Sequence, residues 1–494
     1  MKEILIQDLN KLLKRLSRPQ IITWIDSDAL EIIEHKYARI EIADIIYHQH
    51  GKFALLKKIR KIYVNTYTLN ELNYLAHQHN LPNSNDHKFF INFQIFKKLF
   101  SLNDIWEDFI KKDYANIGTS CLQYGSTIVS QGMPHYYQKL IKNHCVDWFF
   151  NKSQYSKVLV SMPTGSGKTR TANEFLIDLL RTNQVKNILW LAHRRELLHQ
   201  TAKSFEKLHF EKGDDCININ FNFDTHQNWF IDSDNRQIVY SSYDKVTNKQ
   251  QLENFKIDLI VIDEAHFTMA DTYAPLVRNI MNSNNSRILG LTATPMRAND
   301  EMFLNLLNYY QYTISLGDVL GTDDTLGVLQ KNEYLAKIDY EYLNIPTEEF
   351  HQNSEVLNSA IINKCLNYKM ENKNLLIFAL SRPHAIALNS MLNLEGIESA
   401  CIIGETPFSD REYMMEKFKQ KEITAIVNFD ILTTGVDIPG MNGIIVLRKF
   451  NERHTAIQVI GRALRGPKNG GNQSNSVIFV NEIESQNIND LYNY

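Results

Sequence analysis

The chain has few cysteines, little net charge and no long apolar run, and each shortage excludes something. Its five cysteines, Cys121, Cys145, Cys216, Cys365 and Cys401, lie far apart with no CxxC pair. That spacing argues against a zinc site or a disulfide framework and fits a reducing compartment. A formal net charge of −3 excludes a uniformly basic surface, so any grip on a polyanion must run through local grooves. No apolar stretch approaches the ~18–20 residues of a membrane span. The opening Met1-Lys2-Glu3, with Asp8 and Lys11 close behind, has no signal-peptide core. The expectation is a soluble, cytoplasmic protein.

What is present is a normal globular composition, 44% hydrophobic over 494 residues. At ~150 residues per domain, that length suggests about three domains. Residues 1–117 read as a helical N-terminal domain. Leu5, Leu9, Leu12, Leu13 and Leu16 recur at helical spacing, as do Ile32, Ile33, Ile40 and Ile45. Asn80-Leu81-Pro82-Asn83-Ser84-Asn85-Asp86 is a loop. The cluster Lys57-Lys58-Arg60-Lys61 reads first as a solvated helix face and second as a phosphate contact.

From about Pro134 the texture changes to alternating strands and helices. Val158-Leu159-Val160, Ile188-Leu189-Trp190-Leu191, Ile238-Val239-Tyr240, Leu259-Ile260-Val261-Ile262 and Ile288-Leu289-Gly290-Leu291 are apolar without alternation, as buried parallel strands are. Helical stretches, among them Thr171–Leu180 and Glu196–Leu208, separate them, which gives a doubly wound α/β domain over 118–305. A second series, Leu375–Phe378, Ala400–Ile403, Ala425–Val427, Ile444–Val446 and Val477–Val480, predicts another over 351–494. Residues 306–350 read as the linker. No internal repeat is visible at the level of sequence.

Three groups of residues carry chemistry. Ser161-Met162-Pro163-Thr164-Gly165-Ser166-Gly167-Lys168-Thr169 follows a strand and opens a helix, the context a phosphate loop requires. Its glycines let backbone amides surround phosphates, and the helix N-terminus adds its positive end. Lys168 would reach the terminal phosphates, and the Thr169 hydroxyl would bind Mg²⁺. Met162 stands where the strict pattern has glycine. The second group is Asp263-Glu264-Ala265-His266, where a buried strand ends in two acids that need a partner. Asp263 would hold Mg²⁺, and Glu264 would orient and deprotonate the attacking water. The third is Gln458-Val459-Ile460-Gly461-Arg462-Ala463-Leu464-Arg465. Arg462 and Arg465, three apart, should share one helix face. Coming from the other α/β domain, they would neutralise charge on the γ-phosphate only when the cleft closes.

Together these motifs resemble superfamily 2 helicases of the DEAH-box type, closest to the group of type III restriction-subunit helicases and excision-repair-like ATPases. Eight stretches follow the family's order over roughly residues 130–485: Gln138, Met162–Thr169, Ala192–Leu198, Asp263–His266, Leu291–Pro295, Leu376–Phe378 with Ser381, Thr433–Pro439 and Gln458–Arg465. The resemblance implies two tandem RecA-like domains with ATP between them and nucleic acid across both. It makes Gln138 the adenine-reading glutamine and assigns Thr164, Gly165, Ser166, Gly167, Lys168, Thr169, Gly435 and Asp437 to the nucleotide. Arg194, Thr294 and Thr433 become candidates for the nucleic-acid face, and His266, Thr292 and Gln458 for coupling it to the ATP site.

The implied activity is ATP-dependent DNA translocation or unwinding, in bacterial restriction, phage defence or repair. An RNA helicase is the nearest alternative. A nucleotide-gated interaction module without strand separation is the other. The sequence carries no paired carboxylates with a nearby lysine, no HNH-like spacing and no metal cluster. A nuclease, if one is involved, is expected as a separately encoded partner that meets the N-terminal domain.

Overall fold

The computed structural model describes residues 2–16, 27–36, 43, 45, 57–102, 133–151, 154–182, 184–193, 195–211, 236–243, 256–266, 286–293, 301–433, 438, 440–448 and 453–481. Six strands form a first sheet: β1 (Lys157–Ser161), β2 (Asn187–Ala192), β3 (Gln237–Ser242), β4 (Leu259–Asp263), β5 (Arg287–Thr292) and β6 (Tyr312–Ser315). Their order is β3-β2-β4-β5-β1-β6, and every pairing is parallel. The continuous apolar runs follow from burial on both faces. Val158, Val160, Ile188 and Trp190 enter one core, whereas Leu159, Leu189 and Leu191 enter the opposite one.

The second sheet contains β7 (Lys337–Tyr342), β8 (Leu375–Phe378), β9 (Ser399–Ile402), β10 (Ala425–Asn428), β11 (Gly443–Val446) and β12 (Ser474–Phe479). Its order is β7-β12-β11-β8-β10-β9, again all parallel. The chain therefore has the two doubly wound parallel sheets of tandem RecA-like domains. The stretch 306–350 is more than a connector, because it supplies β6 to the first sheet and β7 to the second. The crossing itself is short. Ala336 N donates to Leu464 O at 2.8 Å, and Lys337 N donates to Gln473 O at 2.9 Å.

Strand order in the first sheet fixes where a ligand can sit. β5 lies between β1 and β4, with Ser161 beside Thr292 and Asp263 beside Leu291. Chain connections depart in opposite directions around this point, so a crevice opens beyond the carboxyl ends of β1 and β4.

The N-terminal part is helical, with helices at Lys2–Leu13, Ser27–Lys36, Lys57–Val64, Leu69–Gln78, His87–Ile91 and Phe93–Leu99. Thr68 and Glu71 form a reciprocal capping box at the start of Leu69–Gln78. Leu9, Leu12, Leu13, Leu16, Ile32, Ile33 and Ile45 are buried as their spacing predicts. Ile40 lies outside the described residues, and so does the side chain of Leu5. The basic cluster is not uniformly solvated. Arg60 is buried and donates from Nε to Ile91 O at 2.9 Å, while Lys61 stays exposed. The helices share one continuous core with the second RecA-like domain, uniting Leu9 and Ile33 with Ile361 and Leu388. Helix Ser27–Lys36 packs along Arg382–Leu394, and Lys36 Nζ donates to Ser359 Oγ at 2.8 Å.

Candidate ATP site

The phosphate loop leaves β1 at Ser161 and is pinned at once, since Met162 N donates to Thr292 O at 3.1 Å. Ser166 folds back on Pro163, with its N and Oγ both donating to Pro163 O at 3.2 and 2.6 Å. Gly165 and Gly167 have φ of +79° and +85°, left-handed values that glycine adopts without steric cost. Gly167 also caps helix Lys168–Arg181 and has no room for a side chain, because a Cβ there would lie 2.4 Å from Gln138 Nε2. The first amides of that helix have no intrahelical acceptor by geometry, which suits an anion.

The family resemblance assigns Gln138 to adenine. Its carboxamide is already engaged at both ends, with Nε2 donating to Ser166 O at 3.0 Å and Oε1 accepting from His135 N at 2.9 Å. Tyr137 OH donates to the same Ser166 carbonyl at 2.7 Å. Gln138 thus braces the back of the phosphate loop while lining the cleft.

Asp263 and Glu264 end β4 almost fully buried, at 5% and 7% exposure. Glu264 has φ +54°, a strained value for a non-glycine residue, and its N donates to Asp263 Oδ1 at 3.1 Å. Burial pushes the Asp263 carboxyl up, the neighbouring Glu264 charge adds to this, and Lys168 partly offsets both. Burial also draws the Lys168 ammonium down, against the pull of Glu264 and Asp263, and Arg462 lowers it further. Four ionisable groups from both domains therefore sense one another. Among the described residues Glu264 Oε2 is buried without a hydrogen-bond partner, 3.6 Å from His266 Nδ1. His266 and Thr292 are themselves buried, at 5% and 0% exposure.

The second domain reaches this loop through Gln458–Arg465. Helix Arg453–Gly461 ends there, a 3₁₀ turn covers Arg462–Leu464, and Arg465 is extended, forming an antiparallel bridge with Leu335. The expectation that both arginines sit on one helix face is corrected. Ala336 and Gly466 pull the chain onto the interdomain crossing, so the helix cannot continue. Both arginines nonetheless line the cleft, one from the 3₁₀ turn and one from the extended residue after it. The cleft measures about 860 Å³, and Gln138, Thr164, Gly165, Gly167, Lys168, Thr169, Asp263, Glu264, Gln458, Arg462 and Arg465 all border it. Ser166 is fully buried behind the loop. Arg194, Thr294, Gly435 and Asp437 lie outside the described residues, as does the side chain of Thr433, whose backbone closes the turn Ile431–Thr433.

Sequence reasoning missed His135, Tyr334 and Asn469. His135 Nε2 meets Asn469 Oδ1 at 2.9 Å, and its ring lies 4.5 Å from that of Tyr334. It also missed Lys203 and Glu412, which pair where the cleft continues between helices Arg195–Glu211 and Phe408–Lys419. No periodic signal marks such contacts, since each joins residues over a hundred positions apart.

Residues 131–297 match the family described as type III restriction enzyme, res subunit, and residues 357–467 match the helicase conserved C-terminal domain. Among curated proteins, the chain is 26% identical over 336 residues to one of Saccharomyces cerevisiae named "Putative ATP-dependent helicase IRC3", covering 63% of this chain and 46% of that one. It is also 26% identical over 367 residues to the type I restriction enzyme EcoKI endonuclease subunit of Escherichia coli, covering 63% of this chain and 31% of the relative. The chain thus spans less than half the length of either. Among solved structures, Saccharomyces cerevisiae Dbp5 bound to RNA and ADP BeF3 superposes with a TM-score of 0.52 at 14% identity, over 71% of this chain and 85% of that one. That likeness concerns the fold. With both family domains in order on two parallel sheets and their motifs lining one cleft, the chain belongs to the superfamily 2 helicases, in their type III restriction-subunit-like group.

Proposed function

We propose that the chain is an ATP-driven motor of the DEAH-box type on nucleic acid, a helicase or translocase that hydrolyses ATP to ADP and phosphate in the interdomain cleft. DNA is its substrate in this reading, and bacterial restriction, phage defence or repair its setting. The observation that carries it is the composition of one cleft. Lys168, Asp263 and Glu264 come from the first domain, and Gln458, Arg462 and Arg465 come from the second.

In this reading Lys168 binds the terminal phosphates, and Glu264 orients the attacking water and takes its proton. Arg462 and Arg465 stabilise charge that builds on the γ-phosphate. A magnesium ion fits the residues present, because Asp263 is a buried carboxyl whose ionisation an adjacent cation would favour, with the Thr169 hydroxyl on the same cleft wall. When bound, that ion would neutralise charge on the phosphate oxygens. The burial of His266 and Thr292 suits residues that transmit a change rather than touch nucleic acid. Support for DNA comes from the type III restriction match and the restriction-enzyme relative. A separately encoded nuclease is a partner consistent with that kinship.

The test is ATPase stimulation by duplex DNA, single-stranded DNA and RNA, run beside triplex-displacement and strand-displacement assays. Stimulation by DNA with triplex displacement supports the proposal. Stimulation by RNA alone transfers it to an RNA helicase. Hydrolysis indifferent to every nucleic acid leaves a nucleotide-gated module.

A further inference from the structure

We propose that Asn469, held by His135 across the domain boundary, is the positioning residue that aims Arg465 at the cleft. The inference rests on the reading above that Arg465 acts in hydrolysis.

Asn469 uses three polar atoms in three directions. Its Nδ2 donates to Tyr334 O at 2.7 Å, its Oδ1 faces His135 Nε2 at 2.9 Å, and its backbone O accepts from Arg465 Nε at 2.6 Å. The first bond fixes the amide orientation, because a carbonyl accepts only from the NH₂ end. Oδ1 is then the acceptor towards His135, so Nε2 of that ring carries the proton. The third bond holds the guanidinium at its stem, and a planar group held at Nε has its terminal nitrogens directed as a fork. Both side-chain bonds of Asn469 anchor the turn Pro467–Asn469, so they place the carbonyl on which Arg465 depends.

The anchor on the other side is the phosphate loop itself. Tyr137 OH and Gln138 Nε2 both donate to Ser166 O, and Gln138 Oε1 accepts from His135 N. The His135 ring packs against Tyr334 and Tyr137, with centroids 4.5 and 5.8 Å away. A continuous line of contacts thus runs from the phosphate-loop carbonyl through His135 and Asn469 to Arg465. Tyr334, at the crossing between the sheets, is clasped in the middle. Any movement of the second domain relative to the loop must strain or break this line.

Positioning of a catalytic group shows in kcat and not in ground-state binding. Asn469→Ala keeps the carbonyl that holds Arg465 but removes both side-chain bonds that place it. With nucleic acid saturating, kcat should therefore fall roughly 10-fold, the scale of a small misplacement of a catalytic group, with KM for ATP within about 2-fold. His135→Ala should do the same, and the double variant should be no worse than either single one. His135→Gln, whose amide nitrogen reaches about as far as Nε2, should recover most of the rate. In an Arg465→Ala background, Asn469→Ala should cost nothing further. An equal loss in that background, a change in KM alone, or an unchanged kcat overturns the proposal. If Asn469→Ala does not fold, the contrast between His135→Ala and His135→Gln decides it. Wild-type turnover by Arg465→Ala would instead sink the prior reading of Arg465, a separate and recognisable failure.

Discussion

Gly461 lies against Thr164 so closely that a Cβ on the glycine would stand 2.4 Å from the threonine Cβ. This is backbone of the second domain pressed on the phosphate loop of the first. Gly461 has φ −54°, a value open to any residue, so Gly461→Ala tests the contact without backbone strain. The methyl group must push the arginine-bearing segment away from the loop. Stimulated ATPase should fall by at least about 10-fold, since small misplacements of catalytic groups cost that much or more. The thermal unfolding midpoint should change little. Unaltered turnover would mean that the domains work in a more open arrangement.

Lys168 and Glu264 share the buried charge cluster, yet their removal should read out differently. Lys168→Ala removes the cation that meets the phosphates, so nucleotide binding and turnover should both fail. Glu264→Gln keeps the shape and loses the base. Turnover should fall by about 100-fold or more while ATP stays bound and the closed form accumulates. Fluorescent-nucleotide titration beside phosphate release separates the two. Wild-type hydrolysis by Glu264→Gln would refute its role towards water.

Arg462 and Arg465 occupy the same cleft but differ in support. The Arg462 charge reaches Lys168, whereas Arg465 is held at Nε by Asn469 O. Arg465→Ala should reduce turnover by about 100-fold or more with little loss of ATP affinity, as removal of a transition-state cation does. A rise in KM at constant kcat would make Arg465 a ground-state binding residue instead.

His384 gives a stability prediction with a defined sign. It is fully buried, Leu380 N donates to its Nδ1 at 3.3 Å, and its Nε2 meets Asn358 Oδ1 at 2.9 Å. Burial lowers its pKa from 6.5 to about 4, so the folded state holds the ring neutral. Between these values the unfolded chain binds the extra proton. The stabilisation is therefore complete above pH ~6.5 and is lost as pH falls towards ~4, with about 3 kcal/mol at stake. Urea midpoints measured from pH 7 to pH 4.5 should fall in the wild type, and more gently in His384→Gln. Parallel slopes would remove His384 from the account.

Much of the site was legible because its chemistry is local. The phosphate loop, the acidic strand end and the arginine segment each fit within ten residues, and the apolar runs located ten of the twelve strands among the described residues. β6 and β7 are edge strands without a continuous apolar run, unlike the edge strands β3 and β9, which have one. β7 has no fully buried position and carries Asp339 and Glu341 in place of an apolar run. The break at Gly461 falls on a residue type that commonly ends helices, whereas the contacts with Tyr334–Ala336 that draw the chain away left no mark in the sequence. The same is true of His135 and Asn469, 334 residues apart. Periodicity reports which face is buried, not what lies across it.

The N-terminal helices precede the first RecA-like domain in sequence, yet they complete the core of the second. Ile32 and Ile33 are 2% and 0% exposed, Leu9 and Leu12 0% and 2%, in one cluster with Ile361 and Leu388. Each buried aliphatic contributes about 1.5–3 kcal/mol, so uncovering several exceeds a typical net stability of about 5–15 kcal/mol. Deleting residues 2–102 should therefore destabilise the second sheet selectively. Hydrogen exchange should quicken in β8, β10 and the helix Arg382–Leu394, while β1, β4 and β5 keep their protection. A partner that grips the N-terminal helices would then pull on the domain that carries Arg462 and Arg465, not on the phosphate loop. Equal loss of protection in both sheets would show that the helices support the whole chain and give no such one-sided handle.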